Sequence, residues 1–147
     1  EAIMEPLKNK SKVKKEIQNR IDNLLNQVGL NPSYRKRYPH ELSGGEVQRV
    51  CIARTISTEP KCILLDEAIS SLDVSVQIQV LELLKDLKKI YKMSYVFITH
   101  DIQAAAYICD RVIIFRNGQI EEMVKMEHLK DVQSEYARKL LEMLITF

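Results

Sequence analysis

Two acidic residues, Asp66 and Glu67, come directly after the apolar run at residues 62–65. Such a run is typical of a buried strand in a parallel sheet. Open α/β sheets bind ligands beyond the carboxyl ends of their strands, where these two side chains would lie. Asp66 could hold a hydrated Mg²⁺ between phosphate oxygens, and Glu67 could polarise a water for attack on a terminal phosphate. By itself, however, a hydrophobic run followed by Asp-Glu is a weak signal.

A second candidate segment, residues 42–49, reads LSGGEVQR. Ser43 is a good helix N-cap, and Glu46 three residues later completes a capping box. Gly44 and Gly45 would let a phosphate approach the free N–H groups of this helix start, where the helix dipole favours negative charge. Taken alone, the segment is equally compatible with an ordinary glycine-rich cap.

Two further polar groups follow along the chain. The tripeptide 71–73 (Ser-Leu-Asp) ends six residues after Glu67, and His100 follows a second apolar run at residues 95–98. A lone histidine after a strand is usually structural. If the two strands are neighbours, however, His100 would lie beside Glu67 at the same edge of the sheet. There it could bond a terminal phosphate or hold the attacking water in place.

Hydrophobic periodicity places these residues on alternating helices and strands. Apolar residues recur at helical spacing over 17–28, with Gly29 as a C-terminal stop, and over 74–91. Strands and helices that alternate from about residue 60 onward predict a parallel α/β sheet. The other predicted elements are a helix at about 43–57, strands at 62–65 and 95–98, a short helix at 102–109, a hairpin of 112–115 and 119–123 around Asn117-Gly118, and a terminal amphipathic helix.

Composition excludes several classes of protein. The net charge of +2 lacks the basic excess of a nucleic-acid binder, so no nucleic-acid partner is expected. Cys51, Cys62 and Cys109 show no C-x-x-C spacing, which predicts reduced, buried thiols and no zinc site. No apolar run approaches the ~20 residues of a membrane span. An acidic N-terminus predicts no signal peptide, and the missing initiator Met suggests a chain cut from a longer one.

In combination, the motifs are specific. LSGGEVQR, the strand ending in Asp66-Glu67, SSLD at 70–73 and ITHD at 98–101 occur in one order and at tight spacing. They resemble the signature motif, Walker B motif, D-loop and switch histidine of the ATP-binding cassette (ABC) family. The resemblance implies an α/β fold. Residues 58–147 would be the C-terminal part of a P-loop NTPase (RecA-like) parallel-sheet core, preceded at 1–57 by part of the ABC helical subdomain.

The resemblance also implies a working unit of two ATPase subunits with two ATP molecules between them. The signature residues 43–46 would bind the nucleotide held by the partner subunit. Asp66, with Mg²⁺, and the catalytic residues Glu67 and His100 would serve the nucleotide of their own subunit. Asp73 would link the two sites across the interface. Further implied partners are an integral membrane permease and, indirectly, an extracytoplasmic substrate-binding protein, so the subunit would lie peripherally on the cytoplasmic face of the membrane.

A phosphate-binding loop is missing from this sequence. Such a loop needs a Gly-Lys pair, and none of the four glycines is followed by Lys. The resemblance places the Walker A loop upstream of residue 1. The chain alone is therefore predicted to be inactive as an ATPase.

Shorter stretches, among them 5–7, 38–42 and 72–77, resemble the peptide and nickel importer branch. Two departures stand out: Glu46 replaces the usual glutamine of the signature, and Ala-Ile-Ser-Ser occupies 68–71. The latter is similar to nickel-type importers and favours nickel or metal–chelator uptake over peptide uptake. Two alternatives remain open, a soluble cassette protein that acts without a permease and a non-catalytic interaction fragment.

Overall fold

A computed structural model describes residues 2–7 and 14–145 of the chain. The chain forms two compact units, each with most of its contacts within itself. The first ends at Ile98 and the second begins at Thr99. No helix in the described ranges is both long and apolar enough to cross a membrane.

Three helices begin the first unit: α1 (Met4–Leu7), α2 (Lys14–Gln27) and α3 (Gly44–Ile56). Short 3-10 helices at Pro32–Lys36 and Pro39–Glu41 lie between α2 and α3, where the sequence predicted only a loop. Gly29 has a φ of 72°, the left-handed conformation that ends helices and that glycine adopts without strain. Ile21, Leu24 and Leu25 of α2 are buried together with Val28 just beyond it, as the helical period predicts.

The rest of the first unit is a strand–helix–strand motif. Strands β1 (Cys62–Asp66) and β2 (Ser94–Ile98) pair in parallel, and α4 (Val74–Tyr91) connects them. The pairing confirms the predicted parallel sheet, and α4 has the predicted length. Its buried positions are Val80, Leu81, Leu84 and Leu87.

Strand β1 is buried on one face only, and β2 is at most partly buried, contrary to the sequence prediction. Ile63 and Leu65 are each 7% exposed, whereas Leu64 is 64% exposed and Val96 is 51% exposed. A parallel strand is buried on both faces only when other elements cover both. Within the described part of the first unit, the face that carries Leu64 is not covered. An apolar run therefore predicts that a strand can be buried, but the elements packed against the sheet determine which of its faces is buried.

The prediction that the cysteines are core residues is also wrong for this chain. Cys51 and Cys62 are exposed, and Cys109 is only partly buried. Cys62 shares the uncovered face of β1 with Leu64, because alternate strand residues point to the same side. Cys51 lies on α3 next to the buried Ile52, so the helix turns it outward.

The second unit contains α5 (Ile102–Ile108), an antiparallel hairpin of β3 (Arg111–Arg116) and β4 (Gln119–Lys125), a 3-10 helix (Met126–Asp131) and α6 (Glu135–Ile145). The hairpin confirms its prediction. Asn117 and Gly118 have φ of 50° and 76°, as a tight turn with two left-handed residues requires. The buried core of this unit consists of Ile114, Val132, Ala137 and Leu141.

Candidate functional site

The predicted Walker B pair lies at the carboxyl edge of the parallel sheet. Asp66, the last residue of β1, is in register with Ile98, the last residue of β2, so both strands end at the same edge. The backbone N–H of Glu67 donates to the carbonyl of Ile98 over 3.0 Å. This bond extends the ladder by one step and fixes where the Glu67 backbone lies.

Glu67 has an unusual backbone conformation. Its φ of 45° lies in the left-handed region, which costs a residue with a Cβ roughly 1–2 kcal/mol. Strain of this kind persists only where the surroundings impose it, and it is concentrated at functional sites. The turn that follows supplies such surroundings, because the N–H and hydroxyl of Ser70 both donate to the Glu67 carbonyl, over 3.3 and 2.9 Å.

The segment after this turn leads into α4 at Asp73. The buried side chain of Ile69, 2% exposed, anchors the segment, and the side-chain amide of Gln77 donates to the Ile69 carbonyl over 3.0 Å. Asp73 occupies the N-cap position of α4, yet its carboxylate makes no capping hydrogen bond. A capping aspartate would ordinarily accept from the first-turn amides. Here the carboxylate is exposed at the surface instead.

The signature segment forms the predicted capping box at the start of α3. The hydroxyl of Ser43 accepts from the N–H of Glu46 over 3.3 Å, and the Glu46 carboxylate accepts from the N–H of Ser43 over 2.8 Å. Ser43 and Gly44 are exposed, and Gly45 is partly buried. The helix start is therefore open to solvent, with no side chain on either glycine to keep an anion away from it.

Tyr34 is a member of this cluster that sequence reasoning missed. Its hydroxyl donates to the second oxygen of the Glu46 carboxylate over 2.6 Å. This hydrogen bond, followed by the one from the Ser43 N–H, lowers the pKa of Glu46 below its ordinary value. The Arg37 guanidinium lies over the Tyr34 ring, 3.9 Å from its centroid. No local signal could have found the contact, because Glu46 lies 12 positions after Tyr34 and on a different helix.

The start of α3 also packs against the segment that contains Asp73. A Cβ on Gly44 would lie 3.4 Å from the Leu72 side chain, and one on Gly45 would lie 2.6 Å from that of Val76. The fold thus brings the signature glycines beside the D-loop segment of the same chain, a proximity that the sequence did not predict.

His100 belongs to the second unit and follows the end of β2 by two residues. The Thr99 hydroxyl accepts from the N–H of Asp101 over 3.0 Å, and the Asp101 carboxylate caps α5 by accepting from two amides. These bonds order the chain on either side of an exposed His100. Its predicted proximity to Glu67 stays a prediction.

Comparison with known proteins agrees with this fold and motif order. The family model described as ABC transporter matches residues 2–70, which include both the signature and the Walker B pair. The chain also superposes on a solved dimeric bacterial ABC transporter cassette with a TM-score of 0.72 and 31% identity. That match covers 84% of this chain and 54% of the cassette. Over residues 2–70 the chain matches the ATP-binding cassette family, and its fold is part of the P-loop NTPase cassette.

The curated relatives agree with the importer branch. The chain is 54% identical to the metal-staphylopine import system ATP-binding protein CntF of Staphylococcus aureus over 124 residues, which are 84% of this chain and 50% of that protein. It is 48% identical to the nickel import ATP-binding protein NikE of Rhodospirillum rubrum over 103 residues, which are 70% of this chain and 37% of that protein. The chain thus spans about half the length of CntF and a smaller share of the length of NikE.

The residues present fit part of a Mg-ATP site. The exposed Asp66 carboxylate at the strand end is an oxygen ligand of the kind that Mg²⁺ prefers, and the open start of α3 suits a phosphate. The Gly-Lys pair that would surround the phosphates of a bound nucleotide is absent from the sequence. The sequence therefore contains the residues predicted for the Walker B and signature surfaces, and it contains no Gly-Lys pair for a phosphate loop.

Proposed function

We propose that this chain is the C-terminal part of the ATP-hydrolysing subunit of an ABC importer. The observation that carries the proposal is the strained Glu67 beside Asp66 at the carboxyl edge of a parallel sheet, on a chain that also presents the signature helix start. Residues 1–57 would belong to the helical subdomain and residues 58–147 to the ATPase core.

In this proposal, Glu67 is the general base. Its carboxylate orients a water and accepts a proton as the water attacks the terminal phosphate of ATP. Asp66 would hold Mg²⁺, which would neutralise charge on the phosphate oxygens. His100 bonds the terminal phosphate or the attacking water. The fixed backbone of Glu67 favours this role, since a base must hold its position to within a fraction of an ångström.

The signature acts on the partner subunit's nucleotide. Ser43, Gly44 and Gly45 offer a hydroxyl and open backbone N–H groups to the terminal phosphate, with Glu46 as part of the same motif. Asp73, whose carboxylate is exposed at the start of α4, would link the two sites across the dimer interface. ATP then stabilises the dimer and hydrolysis releases it, which would drive a membrane permease between two states.

The proposed cargo is nickel or a metal–chelator complex, with peptides as the second choice. The motif at 68–71 and the metal and nickel import relatives support this choice. Cargo enters through a permease and an extracytoplasmic binding protein, and the ATPase subunit lies on the cytoplasmic face of the membrane. Co-purification of the complete subunit with a permease would support this assignment, whereas a soluble ATPase without one would favour a non-transport cassette protein.

The test of the catalytic assignment is Glu67→Gln in the complete subunit that contains this segment. ATP hydrolysis should fall by about 100-fold or more, because the amide cannot accept the proton, while ATP binding persists. Glu82→Gln, an exposed carboxylate on α4, is the matched control and should leave hydrolysis unchanged. Unchanged hydrolysis in Glu67→Gln would overturn the assignment.

A second test uses the 147-residue chain alone. Calorimetry with MgATP should detect no binding, because one chain carries no phosphate loop. Stoichiometric binding would mean that the signature and Walker B surfaces suffice to hold nucleotide, and the predicted inactivity of the isolated chain would then have to be examined directly.

A further inference from the structure

We infer that Tyr34 is a positioning residue for the signature motif, and that it acts through Glu46 on Ser43. The inference rests on the proposed function, in which Ser43 contacts the partner's nucleotide. In this inference Glu46, which occupies the position of the usual signature glutamine, connects Tyr34 to Ser43.

Both oxygens of the Glu46 carboxylate accept hydrogen bonds from the protein. One accepts from the Tyr34 hydroxyl over 2.6 Å, and the other accepts from the Ser43 N–H over 2.8 Å. Bonds of a hydroxyl to a carboxylate are about twice as strong as neutral ones, and 2.6 Å is typical of them. The carboxylate thus links Tyr34 to the backbone of Ser43.

Tyr34 itself lies in a hydrogen-bonded turn. Asn31 caps the 3-10 helix Pro32–Lys36 by accepting from the Ser33 N–H over 2.9 Å, and the Tyr34 N–H donates to the Asn31 carbonyl over 2.9 Å. An ion pair of 3.1 Å between Arg35 and Asp22 ties the same turn to α2. These contacts connect the turn that carries Tyr34 to its own N-cap and to α2.

An anionic side chain at this position needs such a partner. A carboxylate three residues into the signature helix would repel the phosphate of a bound nucleotide if it turned toward that phosphate, whereas an amide would not. The bonds to Tyr34 and Ser43 keep the Glu46 charge facing protein donors, and the Arg37 guanidinium over the Tyr34 ring adds positive charge nearby. Tyr34 thus both orients Ser43 and restrains the carboxylate.

The experiment compares Tyr34→Phe with Tyr91→Phe in the complete subunit. Tyr91 is a matched control, because its hydroxyl also donates over 2.6 Å to a side-chain oxygen, that of Gln27, at the opposite end of α4 from the signature. Tyr34→Phe should raise the KM for ATP by about threefold to tenfold, with kcat at saturating ATP changed less than about twofold. Tyr91→Phe should leave both parameters unchanged.

Glu46→Gln tests whether the effect passes through the carboxylate. A glutamine can accept from the Ser43 N–H and donate its NH₂ to the Tyr34 oxygen, so this variant keeps both contacts in neutral form. Tyr34→Phe should therefore raise KM less than about twofold in the Glu46→Gln background. An equal effect of Tyr34→Phe in both backgrounds would overturn the inference, as would a KM no higher than that of Tyr91→Phe.

Amide hydrogen exchange of the 147-residue chain supplies a readout independent of activity. Tyr34→Phe should accelerate exchange at Ser43 and leave the amides of α4 unchanged. Unaltered protection at Ser43 would contradict the positioning role even if the subunit hydrolyses ATP. Conversely, altered protection in a subunit that does not hydrolyse ATP would leave the positioning pair intact and overturn the proposed function alone.

Discussion

A Cβ atom on Gly45 would lie 2.6 Å from Cγ1 of Val76, a distance that real Cβ atoms essentially never show. The start of α3 and the first turn of α4 approach each other this closely because Gly45 has no side chain. Gly44 is different, since its added Cβ would lie 3.4 Å from the Leu72 side chain. The second signature glycine therefore has a packing role in addition to its proposed role in nucleotide binding.

Gly45→Ala should destabilise the chain. Overpacking costs about 1–3 kcal/mol, and the better helix propensity of alanine offsets up to about 1 kcal/mol of it. The free energy of unfolding, measured by denaturant titration, should fall. Gly44→Ala is the matched control and should be neutral or stabilising. Equal stability of the two variants would show that α4 moves aside without loss.

Relief of backbone strain gives a second prediction. Glu67 and Lys92 are both left-handed, with φ of 45° and 49°. Lys92→Gly should raise the free energy of unfolding by about 0.5–1 kcal/mol, because glycine adopts this conformation without a Cβ clash. Glu67→Gly should relieve the same backbone strain, while the complete subunit should lose ATP hydrolysis because the proposed general base is removed. If Lys92→Gly destabilises the chain, the strain at these positions is smaller than their φ values imply.

Local signals in the sequence predicted most of the elements. The capping box at Ser43, the helix over 74–91 and the Asn117-Gly118 hairpin all depend on interactions within a few residues, and the structure confirms each of them. The Walker B pair could likewise be placed at a strand end, because parallel strands present their carboxyl ends at one edge.

Features that depend on distant parts of the chain could not be predicted. The exposure of Leu64 and Cys62 follows from what covers each face of the sheet, which periodicity alone does not specify. The Tyr34–Glu46 bond joins a 3-10 helix to the signature helix across a stretch with no apolar pattern. The contact of Gly45 with Val76 depends on how α3 packs against α4, and no pattern in either segment predicts it.

Acid should weaken the hydrogen bonds that Glu122 accepts from the chain just before α6. The Glu122 carboxylate accepts from the N–H groups of Gln133 and Ser134 over 2.9 Å each, and these bonds hold the pKa of Glu122 below its ordinary value of 4.5. Because the folded pKa is lowered, the stabilisation is present above pH 4.5 and is lost as pH falls through the folded pKa. Wild type should therefore be more stable than Glu122→Gln at pH 7, with the difference closing below about pH 4.5.

Thermal unfolding of the 147-residue chain at a series of pH values measures this difference. Glu127→Gln is the control, because that exposed carboxylate lies 3.3 Å from the Lys125 ammonium and 3.6 Å from the His128 ring, and among the described residues it is not seen to accept from a backbone N–H. A stability difference between wild type and Glu122→Gln that does not change with pH would show that the contacts of Glu122 do not depend on its charge.

Alkaline pH should weaken the contact between α4 and β2. The Tyr95 hydroxyl donates to the Leu84 carbonyl over 2.8 Å, and burial raises the pKa of Tyr95 to about 12. The unfolded chain loses this proton near its ordinary pKa of 10.0, so stability is lost as pH rises from there through the folded pKa. Tyr95→Phe should be less stable than wild type by about 1 kcal/mol at pH 8, and the difference should shrink between pH 10 and about 12.

Denaturant titration across this pH range checks the prediction. Tyr38→Phe is the control, because the Tyr38 side chain is 66% exposed. A difference that stays constant up to pH 12 would mean that Tyr95 ionises equally readily in the folded and unfolded chains, and that its burial does not favour the neutral hydroxyl.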